Sequence, residues 1–116
     1  MIQTRLTKAF DLEHPIISAP MAFAAGGKLA GAVSASGGMG LIGGAYGDAA
    51  WIDDQFVAAG NQSVGCGLIT WSLGDRPDGV ALLQSVLDRK PAALFLACGI
   101  PAPYVDQIKA ADVALM

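Results

Sequence analysis

Short apolar runs alternate with amphipathic stretches along the whole chain. Residues 15–19, with Ile16 and Ile17, predict a first buried strand. Residues 40–45, 64–69 and 92–97 predict three more, and 113–116 begin a fifth. Between them, 27–36 predicts a helix of small residues, ended by Gly37 and Gly38. Asp48 is suited to cap a helix that carries Ile52, Phe56 and Ala59 on one face. Residues 78–89 predict a further helix with Val80, Leu83 and Leu87 on one side. Residues 103–111 predict another, and Pro103 suits its first turn, where a missing N–H costs nothing.

Strands that alternate with helices imply a parallel sheet with right-handed crossovers. The expected fold class is therefore α/β, as an open doubly wound sheet or a (β/α)8 barrel. The chain stops inside an apolar run, and closed barrels need about 250 residues. The expectation is a partial TIM (β/α)8 barrel of about four and a half βα units, with 1–116 as its N-terminal part. The composition agrees: 53% of residues are hydrophobic and 15% charged, against about 45–50% and about 25% in average proteins. Such a bias suits strands buried on both faces.

Charge narrows the function classes. The net charge is −3 and the seven Lys and Arg are scattered, so no basic stripe exists for nucleic acid. Residues 29–47 carry no charge, but seven of those 19 are glycine, and each glycine costs a helix about 1 kcal/mol; a membrane span is not expected. The start of the chain lacks the apolar stretch of a signal peptide. Cys66 and Cys98 read as reduced core residues of a cytoplasmic protein. With His14 the sole histidine, no metal-ligand cluster forms.

Three segments invite a chemical reading. Residues 38–43 spell G-x-G-x-x-G, but a helix precedes them and a strand runs through them. That is the reverse of the dinucleotide context, so close packing is the better explanation. Ala19, Pro20, Met21 and Ala22 follow the first strand, at the end where barrels carry their chemistry. Pro20 sets the direction of the chain, Met21 offers a soft thioether and Ala22 permits close approach, which suits a flat cofactor as well as an ordinary turn. Gly65, Gly67 and Thr70 end the third strand in the same position; the glycines bare one wall and Thr70 adds a hydroxyl, for a ligand or for neighbouring backbone. His14 lies at the opposite end and reads as structural, Asp48 as a cap, Asp75 as a loop residue and Cys66 as packing.

The chain resembles the nitronate monooxygenase family. The resemblance rests on residues 14–17, on Ala19, Pro20, Met21 and Ala22, on 32–34 through 37–44, on 65–70 and on 93–96. The pattern is shared more loosely with flavin enoyl-ACP reductases and purine-nucleotide dehydrogenase barrels. The resemblance implies an FMN barrel that oxidises alkyl nitronates with O2. Ala19, Pro20, Met21, Ala22, Gly67 and Thr70 would then line the flavin, with no metal and no catalytic residue assigned in this chain. The histidine and glycine-rich phosphate loops of the family belong to later barrel units. The alternatives are an FMN-dependent NADH:quinone or enoyl-ACP reductase of the same fold, and a non-catalytic half-barrel that needs a partner chain. Open sheet edges also expose such a chain to self-association.

Overall fold

The computed structural model describes residues 2–116. Helix α1 (Arg5–Phe10) opens the chain, followed by α2 (Gly27–Ala35), β1 (Leu41–Gly43), α3 (Ala49–Ala58) and β2 (Gly65–Ile69). Then come α4 (Thr70–Asp75), α5 (Gly79–Asp88), β3 (Leu94–Ala97), a 3-10 turn (Ala102–Tyr104) and α6 (Val105–Ala110). The three strands are parallel in the order β1-β2-β3.

The expected first and fifth strands are each reduced to one parallel bridge, Ile17 to Met39 and Leu94 to Leu115. The first is short for a visible reason: the Ser18 hydroxyl, not a main-chain carbonyl, accepts the Leu41 N–H at 3.2 Å. Backbone bonds from Met39 N to the Ile16 carbonyl and from Ser18 N to the Met39 carbonyl still set its direction. Five parallel segments thus lie side by side in chain order. A doubly wound sheet reverses that order at a switch point, whereas a barrel does not, so the arrangement is that of a partial (β/α)8 barrel.

Register sorts the side chains onto two faces. Ile42 pairs with Cys66 and Cys66 with Leu94. These residues face the helices and join Ile52, Leu82, Leu83, Val86 and Leu87 in the main core. The opposite face holds Met39, Leu41 and Ala93, covered near its N-terminal end by Phe10 and Leu12. Helix α1, absent from the sequence expectations, provides that cover. It has only six residues, too few for an apolar stripe, and its start is set by a reciprocal capping box between Thr4 and Thr7.

Two expectations need correction. In α5 the buried side is Leu82, Leu83, Val86 and Leu87, while Val80 is 64% exposed. Cys98 is not a core residue: it is exposed just beyond β3, whereas Cys66 is fully buried. The Asp48 cap forms as expected, its carboxylate accepting the Trp51 N–H at 3.0 Å. No helix among the described residues is long and apolar enough to cross a membrane.

Candidate functional site

The C-terminal ends of the parallel segments share one rim. Each ladder fixes where its following loop emerges, so the loops after residue 18, after β1, after β2 and after β3 all open on that side. There a shallow cleft is lined by Pro20, Ala22, Ala45, Gly67, Ile69, Phe95, Ala97 and Cys98, with Leu68 behind.

Two glycines let the first loop reach this cleft. A Cβ at Gly43 would collide with the Met21 carbonyl, and one at Gly67 would run into the Pro20 ring. Bare backbone therefore seats the 19–22 loop on the sheet. This settles what the glycines of β2 do: Gly67 receives Pro20, and Gly65 receives the Leu41 side chain and the Ala93 backbone. The close approach comes from the chain itself. Residues 38–43 are likewise packing, since Gly40 lies against the Ala30 backbone of α2.

Of the residues singled out in the sequence, Pro20, Ala22 and Gly67 meet in the cleft. Ala19 and Met21 belong to the same loop, with Met21 55% exposed. Thr70 does not line it. It is the first residue of α4, 3% exposed and packed under Gly99. Its hydroxyl is buried without a hydrogen-bond partner, an arrangement that costs about 1–3 kcal/mol unless something satisfies it. Ala45, Phe95 and Ala97 were not singled out, and Cys98 only as a core residue. Their common signal is position, at or just past the C-terminal end of a strand.

His14 sits at the other end of the sheet, exposed, with its main-chain N–H bonded to the Gly37 carbonyl at 2.9 Å. Asp75 is exposed at the end of α4. Among the described residues no group of acidic, histidine or cysteine side chains is placed to hold a metal.

Around the rim the loops are tied together. The Arg76 guanidinium donates to the Tyr46 and Gly47 carbonyls and pairs with Asp78. The Ser72 hydroxyl donates to the Tyr46 carbonyl at 2.8 Å. The hydrogen bond to Asp78 raises the Arg76 pKa, and the same bond lowers that of Asp78. Burial pushes the Cys66 thiol up to about 12, so it is inert at neutral pH. Aromatic rings crown this edge: Phe23 meets Trp51 edge-on at 6.2 Å between centroids, and Tyr46 meets Trp71 at 5.9 Å.

A search of curated proteins returned no match. Among solved structures, FabK from Thermotoga maritima superposes with a TM-score of 0.86 at 24% identity, over 99% of this chain and 37% of that one. A point mutant of the same protein gives 0.85 at 25% identity, over 98% and 38%. The chain thus spans less than two fifths of the length of the structures it matches. A family model described as nitronate monooxygenase matches residues 3–69, more than half of the chain. That stretch holds the 19–22 loop, β1 and β2 with Gly67, and on it the chain belongs to the nitronate monooxygenase family.

Proposed function

We propose that this chain supplies the ring-binding half of an FMN site in an oxidoreductase that oxidises alkyl nitronates with O2. The observation that carries the proposal is the seating of Pro20 on Gly67, which joins the first loop and β2 into one apolar cleft. The cleft suits a flavin ring because most of its walls are small or flat, Pro20, Ala22, Ala45, Gly67, Phe95 and Ala97 among them, while Thr70 with its unpartnered hydroxyl is buried outside the lining.

The cleft does not suit a phosphate. None of its lining residues is basic, and the phosphate sites of barrels generally use the loops after strands seven and eight. When bound, FMN would accept electrons from the substrate and pass them to O2. The part of this chain is to present a flat apolar floor through Pro20 and Ala22, and to keep water off it through Phe95 and Ala97. A nitronate is already an anion, so no base is asked of these residues.

A second reading, an FMN-dependent NADH:quinone or enoyl-ACP reductase, is favoured by one feature. The cleft contains no cation to select an anionic substrate, so a neutral one fits equally well. The test is a polypeptide that carries this sequence with the remaining barrel units, assayed with a simple alkyl nitronate such as propane-2-nitronate, with NADH and quinone, and with NADH and an enoyl thioester. Nitronate-dependent O2 uptake is expected. Turnover confined to the NADH-dependent reactions would overturn the oxygenase reading in favour of the second.

A further inference from the structure

A second, smaller cavity adjoins the cleft. It holds about 50 Å³ and is walled by Phe23, Trp51 and Tyr46, with residues 43–45, Gly47 and Asp48 at its base. A buried water needs about 10–15 Å³, so a group of several heavy atoms fits. Ala45 lines both this cavity and the ring cleft, so the two are neighbours across one residue.

Three observations say what the cavity would take. Its walls are aromatic, with Phe23 and Trp51 inclined at 69° to each other, which favours contact with an apolar group. Its one charged side chain, Asp48, is engaged by the Trp51 N–H and stands in the field of Arg76. No basic side chain lines it. An anion thus finds no partner there, and a cation only the Asp48 carboxylate that already serves the helix cap. Backbone strain marks the same place: Phe23 and Ala45 have φ of 60° and 48°, a left-handed conformation uncommon for residues with a Cβ. Phe23 is 77% exposed, so burial of its ring does not account for its conformation. Strain of this kind clusters at ligand clamps.

We propose that this cavity is a subsite for an uncharged alkyl or aryl group of the substrate, one residue away from the reacting end. This rests on the reading of the neighbouring cleft as the flavin site, and it narrows the substrate class to nitronates with an apolar tail. The chain has two tryptophans, Trp51 and Trp71. A Trp71→Phe variant therefore makes Trp51 the sole reporting indole. Its fluorescence is titrated with n-alkanols from ethanol to hexanol, and with the alkylammonium and alkanoate ions of the same lengths.

Alkanols should bind saturably, tightening about two- to fourfold per methylene until the cavity is filled. Both ions should bind more weakly, and Phe23→Ala should weaken hexanol about fivefold or more. A response that never saturates, that ignores Phe23→Ala or that favours either ion overturns the proposal. Lumiflavin titration of the unaltered chain reads the ring cleft separately. Loss of lumiflavin binding with saturable alkanol binding would sink the flavin reading and leave an apolar site. The converse would remove the subsite alone.

Discussion

Cys66 and Cys98 lie in similar apolar stretches of sequence, yet β3 ends at Ala97 and leaves Cys98 exposed on the rim with φ of 59°. Cys66, in the sheet and turned toward the helices, is sealed. A thiol reagent at neutral pH should label one cysteine, Cys98, and Cys66 only after denaturation; equal labelling of both in the folded chain would contradict the packing. Burial also has a pH signature. The Cys66 pKa is pushed from an ordinary value near 9 up to about 12 when folded. Between those values the unfolded chain releases a proton that the folded chain keeps, so stability falls as pH rises through that window, by up to about 1.4 kcal/mol per pH unit. Denaturant midpoints measured from pH 8 to pH 11 should decline less steeply in Cys66→Ala than in the parent chain. Close approach gives a second test at this scale. Gly67→Ala places a methyl group against Pro20, and strain of this kind typically costs about 1–3 kcal/mol, readable as a lower thermal midpoint.

At the level of elements, what was legible in the sequence was what burial alone dictates. The runs at 40–45, 64–69 and 92–97 contain β1, β2 and β3 because strands buried on both faces must be continuously apolar. The helix after Asp48 was legible through its cap and through Ile52 and Ala59, both buried. What escaped was built from contacts remote in sequence. Helix α4 starts directly from β2 with no side-chain cap and contains Gly74; its buried Leu73 lies against Gly79, the first residue of α5. The Arg76 clamp on the Tyr46 and Gly47 carbonyls spans about thirty residues of sequence and left no local pattern. Arg76→Ala should therefore raise amide exchange and protease cutting around residues 45–48 with little change in the thermal midpoint, because an exposed ion pair contributes little to global stability. Unchanged exchange there would show that the loop does not depend on the clamp.

For the whole molecule, sequential parallel order distinguished a barrel from a doubly wound sheet, a choice that the spacing of the apolar runs leaves open. The pairing of Pro20 with Gly67 was only half visible. The sequence marked both as rim residues, but not that the glycine receives the proline rather than a ligand. Outer segments held by one bridge each leave backbone donors and acceptors at both sides of the sheet. Light scattering on the purified chain should show mass rising with concentration; a monomer throughout would mean the edges are protected.

The central proposal is that Pro20, Ala22 and Gly67 shelter a planar ring without gripping a phosphate. Titration of the chain with lumiflavin and with FMN, followed by flavin fluorescence, tests this most directly. Both should bind saturably, with dissociation constants within about tenfold of each other. One charge-assisted hydrogen bond to the phosphate would already contribute about 1.5–3 kcal/mol, and each 1.4 kcal/mol is about tenfold. Failure of lumiflavin to bind, or FMN held stoichiometrically by a monomer that ignores lumiflavin, would contradict it.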